Sequence, residues 1–461
     1  MFRRSLLRQL GIGAAAGAFL GAGRPATAIA ASPAPAAAAQ SPEPKTARRA
    51  ARGLDLRSVD VVDSHMHGLS RTLLSVAYDK QAVGFTDAFA APGDYPGRAQ
   101  VLANMKAGFA DLVWGQPRRI GYLNYIARTY GVPATLAGFD SVVAKHIGSD
   151  TDFTAYVAAI FDRENIRTVV LQSAEPDPAV PPKTSIPLDR FVWTWPFAQT
   201  FFPDWARKNN ASTLEDVVAL IDRALERAVA AGCRGFKNVS AYYRPYDLSP
   251  VTPSAADAAL RTLLAAAPIR SGVMDVPLYG TPKLTAAFKT YQDYLFKHVY
   301  VRAGELERPI IIHSAVALHP SLRPDYNNPL PLYDVFGDGD IQRAGTRFIV
   351  IHGGYPSHHV IASMISQFPN VYTDVSFFSK YPGALEELYQ TLMALAPSEK
   401  IMHGSDANTV PEEVGYCCSN SRAILARVLG DYKTYYGWTA SDAMNAGNNI
   451  LHANARRLFR I

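Results

Sequence analysis

Val59-Asp60-Val61-Val62-Asp63-Ser64-His65-Met66-His67 is the stretch whose reading decides the fold. Its apolar run reads as a buried strand, and it ends in two histidines two residues apart. Side chains alternate across a strand, so positions i and i+2 leave on one face and both imidazoles aim at one point. Two neutral imidazole nitrogens that converge suit Zn²⁺ or a similar divalent ion. Alone the pair is weak, because a chain of 461 residues with 11 histidines meets this spacing by chance. Its weight comes from later apolar runs that also end in a histidine or an aspartate.

Downstream, the next apolar strand comes only at Ile166, with Thr168-Val169-Val170-Leu171-Gln172 as a continuous apolar run. Residues 69–160 therefore read as an insertion after the first strand. Ala99 to Val113 and Arg119 to Thr129 carry helical patterning within it, which predicts a helical subdomain or lid over the strand ends. His146, inside it, reads as structural. Six more strands follow: Arg190 to Trp195, Cys233 to Val239, Pro309 to His313, Phe348 to Gly354, Val371 to Val375 and Ile401 to Asp406. Uninterrupted apolar runs suit parallel strands buried on both faces. Helices separate them. Ser212 opens one with Glu215 at capping-box spacing, Val217, Leu220, Ile221, Ala224, Leu225 and Val229 line its apolar face, and Gly232 ends it. Thr290 to Ala303 reads as another. Eight alternating units make an α/β fold, a (β/α)₈ TIM barrel.

Chemistry in such a barrel sits at the carboxyl ends of the strands. His65, His67, Lys237, His313, His352 and Asp406 all stand at or near such ends. One histidine ending an apolar run is usually a satisfied core or loop residue. Four of them with an aspartate, on strands one, five, six and eight, are not explained that way. Other residues are weaker candidates. Arg244 is either a bidentate anchor for a substrate anion or half of a structural salt bridge. Trp193, with Trp195, either lines the pocket or fills the core. Asp374 ends strand seven and is placed to orient a ligand histidine. His358 and His359 read as exposed loop residues. His403, three residues before Asp406, falls on the opposite face. His298, His319 and His452 read as structural.

Asp63-Ser64-His65-Met66-His67, Ile312-His313, Ile351-His352-Gly353-Gly354-Tyr355-Pro356, Gly404-Ser405-Asp406 and the ending Asn454-Ala455-Arg456-Arg457-Leu458-Phe459 resemble the amidohydrolase superfamily, in its amidohydrolase-related group of metal-dependent barrel enzymes. Gly235-Phe236-Lys237 through Tyr243-Arg244, with Tyr291-Gln292-Asp293-Tyr294-Leu295, resembles more closely the amidohydrolase domain found fused to glutamine synthetase-like domains. The resemblance spans about Val59 to Phe459 and leaves the insertion without a counterpart. It implies that His65, His67, His313 and Asp406 hold one Zn²⁺, or Mn²⁺ or Fe²⁺, with a position left for water or substrate. It implies that Asp406 is also the general base, and that His352 transfers a proton, polarises a carbonyl or binds a second metal. Lys237 stays open between a carboxylated lysine bridging two ions, an ammonium facing a substrate carboxylate, and a barrel-layer residue.

The amino terminus reads separately. Arg3-Arg4 precede an apolar, Ala- and Gly-rich segment from about Leu10 to Gly23, and A-x-A sites follow at 26–28 and 28–30. Residues 1–30 therefore read as a twin-arginine signal peptide. The apolar stretch falls short of the roughly 20 residues that span a bilayer, so no stable membrane anchor is expected. Residues 31–52 read as a disordered Ala/Pro-rich tether, and 53–461 as the barrel. Eight basic residues against Glu43 precede Gly53, so a chain of net charge +6 leaves its barrel about neutral and argues against nucleic-acid binding. Three cysteines make no disulfide framework.

The expected protein is an exported, periplasmic or secreted, metal-dependent hydrolase cleaving a C–N or C–O bond (amide, lactone or ester-like) of a small polar substrate. Its partners would be that substrate and the twin-arginine translocase, with a homo-oligomer left open. Two other readings are a non-oxidative decarboxylase on the same metal site and an inactive metal-binding or scaffold barrel.

Overall fold

The computed structural model describes residues 54–71, 117–270, 277–315, 323–408 and 410–461. The leader, the tether, the helix expected at 99–113 and His319 lie outside the described residues.

Eight strands follow one another around a sheet in which each pairs in parallel with the next. They are β1 (Val61–Met66), β2 (Ile166–Gln172), β3 (Phe191–Pro196), β4 (Cys233–Asn238), β5 (Ile310–His313), β6 (Phe348–Ile351), β7 (Val371–Asp374) and β8 (Ile401–Met402). α-Helices fill the connections, as in a (β/α)₈ TIM barrel, except between β2 and β3, where the chain makes only a short 3₁₀ turn, Leu188–Arg190. Three main-chain hydrogen bonds join β1 to the segment after β8: Ser64 N–H to His403 O at 3.0 Å, Asp406 N–H to His65 O at 2.8 Å, and His67 N–H to Ala407 O at 2.9 Å. This seam brings the first and last strands together.

The strands are buried on both faces, and the side chains sort by parity. Val62, Val170, Ile311, Ile349, Ile351 and Met402 fill the barrel interior, where Ala455, Leu458 and Phe459 pack against them. The alternate residues, Val61, Val169, Phe236, Ile310, Ile312, Phe348 and Val350, join the larger core under the helices. Trp193 and Trp195 belong to this outer core, and the Trp195 indole N–H donates to Glu175 O at 3.2 Å. Both therefore face away from the barrel mouth, which corrects the reading of Trp193 as a pocket residue. A strand apolar on both faces gives no sequence sign of which parity is inward.

The described part of the insertion holds three helices, α1 (Pro117–Tyr130), α2 (Leu136–Val143) and α3 (Asp150–Arg163). Thr135 and Ser149 cap α2 and α3 with their hydroxyls. Farther on come α4 (Leu214–Ala230), α5 (Pro282–Glu305), α6 (His358–Gln367), α7 (Pro411–Tyr435) and α8 (Asn454–Phe459). α1 and α3 both pack on α7, and α3 also on β2. α1 and α3 thus pack beside the barrel's own elements, and residues 72–116 of the expected helical subdomain or lid lie outside the described residues. The capping box of α4 is one residue later than the sequence spacing implied: Thr213 and Asp216 exchange the two bonds. The helix expected at 290–303 begins earlier, at Thr281 and Pro282. Cys233, Cys417 and Cys418 are free and buried.

Candidate metal centre

β1 delivers His65 and His67 to the mouth beside Asp406. The Nε2 atoms of both lie 3.3 Å from Asp406 Oδ1, and their rings are 5.4 Å apart. Asp63 fastens this arrangement from behind, its Oδ1 accepting the N–H of His65 at 3.2 Å and of Ser405 at 2.9 Å. The residues that aim at the mouth adopt backbone that L-residues avoid: φ is 52° at Asp406 and 64° at His352. For His352 the reason is parity. Ile349 and Ile351 point inward, so regular alternation would send His352 outward; the left-handed turn, continued by Gly353 and Gly354, brings its ring back over the barrel. There its Nε2 shares a hydrogen bond of 3.2 Å with His313 Nδ1.

Asp374 holds that turn. Its Oδ1 accepts the His352 N–H at 2.8 Å and the Ser376 hydroxyl at 2.6 Å, while Oδ2 accepts from Ser64 Oγ at 2.9 Å. Ser376 Oγ in turn lies 2.8 Å from His352 Nδ1. Lys237 reaches the same space from β4, its Nζ 3.3 Å from His65 Nε2. Tyr242 lies against His313 with ring centroids 4.6 Å apart, and Phe377 lies 6.2 Å from His352.

Charge states follow from burial. Burial, then the neighbouring Lys237, pulls His65 down to about 3. His313 and His352 are held well below their usual range, again by burial first. These three imidazoles are thus neutral near pH 7, the form that binds metal. Burial alone would raise Asp406, but hydrogen bonds from His65 and His67 outweigh it and hold the carboxyl well below its usual range. Lys237, buried, falls to about 7.

The structure therefore brings His65, His352 and Asp406 together, each offering one ligand atom, all within 4.8 Å of one another. His67 reaches the same carboxylate oxygen. His313 stands one ring farther, behind His352. Its Nε2 is buried without a hydrogen-bond partner, a state that costs about 1–3 kcal/mol and that a ligand on the nitrogen would relieve. Neutral imidazoles around an ionised carboxylate fit a divalent cation.

Other candidates lie elsewhere. Arg244 is paired through Nη2 with buried Asp293 at 2.5 Å and donates to Asp247 O at 2.7 Å, while its Nη1 is buried without a hydrogen-bond partner. His358 is buried on α6, 3.3 Å from Glu387, whereas exposure was expected; His359 is exposed. His403 faces α7, 2.9 Å from Ser421 Oγ. His298 pairs with Asp222 at 2.8 Å. Sequence reasoning passed over Ser376 and Lys380. The second donates to Asp406 O at 2.6 Å, and its only trace in the sequence is a lone cation between aromatics after β7.

Against known proteins, the Amidohydrolase family model matches residues 203–461, more than half of the chain. The chain belongs to the amidohydrolase family. Among curated proteins, this amidohydrolase is 24% identical over 246 residues to protein fluG of Emericella nidulans, a match covering 49% of this chain and 25% of fluG. The matched stretch thus spans a quarter of that relative's length. Among solved structures, a protein of Lactobacillus casei ATCC 334 assigned as a metal-dependent hydrolase aligns with a TM-score of 0.65 at 20% identity, over 88% of this chain and 98% of the other. Uronate isomerase of Thermotoga maritima aligns with a TM-score of 0.60 at 14% identity, over 89% and 96%. These likenesses show the barrel fold. The amidohydrolase is a metal-dependent enzyme by family, with a His-His-Asp group at the mouth.

Proposed function

We propose that this amidohydrolase is a metal-dependent hydrolase cleaving an amide, lactone or ester-like bond of a small polar substrate, and that it works in the periplasm or outside the cell after twin-arginine export. The observation that carries the reading is the meeting of His65 and His67 on one oxygen of Asp406, each at 3.3 Å, with His352 within 4.8 Å of His65 and Asp406. Zn²⁺ suits this donor set, and Mn²⁺ or Fe²⁺ would also be accepted. His65, His67 and Asp406 would hold the ion, with His313 as a further ligand through its orphaned nitrogen. When bound, such an ion supplies Lewis acidity and lowers the pKa of water from 15.7 toward about 7. Asp406, kept ionised, accepts a proton from the attacking water. Asp406 would return that proton to the leaving group, with His352, steadied by Asp374 and Ser376, relaying it or polarising the substrate carbonyl. Lys237, brought by burial to about 7 and so divided between amine and ammonium at neutral pH, would either face a substrate carboxylate as an ammonium or, carboxylated, help hold a second ion.

The test is turnover of amides, lactones and esters in H₂¹⁸O by the metal-loaded protein. One ¹⁸O atom in the acid product supports hydrolysis. CO₂ release from an aromatic acid without label in the remaining product replaces the reading with decarboxylation. The likeness to uronate isomerase gives the other competitor, and sugar-acid interconversion without label would establish it. Export is tested by the amino terminus of the periplasmic protein, expected near residue 31.

A further inference from the structure

We infer that Lys380 is a positioning residue for Asp406, and that Arg118, on helix α1 of the insertion, completes the tether through Glu413. The inference rests on the metal-centre reading above.

Lys380 is 4% exposed. A cation taken out of water costs several kcal/mol unless partners repay it, so the partners show what the residue serves. Its Nζ donates to the main-chain oxygen of Asp406 at 2.6 Å, lies 3.4 Å from Glu413 Oε2, and sits 5.4 Å from the centre of the Phe377 ring. Two of these three partners are residues with strained backbone, since φ is 52° at Asp406 and 65° at Phe377. An L-residue in that region costs about 1–2 kcal/mol and stays there only when its surroundings determine it. Asp406 is pinned at its N–H by His65 O and at its carbonyl by Lys380 alone among the described contacts. The ammonium therefore fixes the second end of the peptide turn that aims the carboxylate at His65 and His67.

The tether continues outward. Glu413, buried on α7, pairs through Oε1 with Arg118 of α1 and accepts the N–H of Asn408 at 3.4 Å. Asn420 holds Ser379 O at 3.1 Å, fixing the loop that carries Lys380. A cation on the insertion, an anion on the last long helix and a cation on the β7 loop thus form one line ending at Asp406. The insertion, by this account, takes part in aiming a metal ligand.

The experiment uses full-length protein loaded with Co²⁺ as the probe ion. It reads the visible absorption of the site and the Co²⁺ dissociation constant by chelator competition. Outer partners of metal ligands typically change affinity about 10- to 100-fold. Lys380→Met is expected to weaken Co²⁺ by about that factor and shift the visible bands. Lys380→Arg is expected to recover most of the affinity. Glu413→Gln, which leaves the lysine in place but unties it, is expected to shift the same bands with a smaller loss. Wild-type affinity within twofold and unchanged bands in Lys380→Met overturn the inference. Should that variant not fold, the same result in Glu413→Gln overturns it equally. A wild-type chain that takes up no ion defeats the metal-centre reading itself, and this inference with it.

Discussion

Asp406 sits where burial favours protonation, yet two imidazoles at 3.3 Å keep it ionised. That balance makes it the sensitive residue of the centre. Asp406→Asn preserves size and removes charge, and we expect metal content to fall below about a tenth of an equivalent by elemental analysis. Where metal is forced in, kcat should drop by about 10²–10⁴, the usual worth of a positioned base. His403 gives a different prediction. It is 1% exposed, and burial, then Arg422, brings it down to about 3. Its folded pKa lies below its unfolded value near 6.5, so the unfolded chain binds the extra proton between those limits. Stability is therefore expected to fall as pH drops from 6.5 toward 3, by up to about 1.4 kcal/mol per unit from this group. Urea titrations of wild type and His403→Asn across that range check it; an equal slope in both would remove His403 from the account. The sequence showed at once which histidines and which aspartate stand at or just beyond strand ends. It did not show the turn at His352, because a backbone φ of 64° breaks the parity on which such reading depends. Nor did it show that Arg244 spends its charge on Asp293, a partner 49 positions away.

Between β1 and the segment after β8 the elements meet more tightly than pairing alone demands. Gly404 lies in that seam, where an added Cβ would stand 2.7 Å from Ser376 Cβ and 2.9 Å from Ser64 Oγ. Gly404→Ala must push β1 away from β7, and overpacking of this kind costs about 1–3 kcal/mol. The expected outcome is a lower melting temperature together with weaker metal binding, since the same hydrogen bonds align His65 and Asp406. A variant that loses stability while keeping wild-type metal affinity would separate seam from site. The strands were legible as elements because residues buried on both faces must be apolar on both. Their short extents were harder: β8 is only Ile401–Met402, and His403 to Asp406 run on as an irregular edge whose shape depends on β1, far away in sequence. The insertion was legible only as helical; its docking on α7 depends on contacts such as Arg163 with Glu412 at 3.1 Å, which no local pattern announces.

At the scale of the whole molecule, an ion held by residues from both ends of the chain is expected to stabilise it as a unit. A ligand at 100 times its dissociation constant adds about 2.7 kcal/mol. Chelation should therefore lower the melting temperature by a few degrees and addition of Zn²⁺ should restore it, with scanning calorimetry as the check. An unmoved transition would mean that the centre binds nothing tightly. The fold class was readable from the order of apolar runs, because a parallel barrel repeats one unit. The closing contacts were not, since they join residues 64–67 to 403–407. That seam has a consequence for how the protein is made. A ribosome still short of codon 406 has released both β1 histidines with no carboxylate to face them. Any cation site that needs both is therefore complete only after residue 406 has been made.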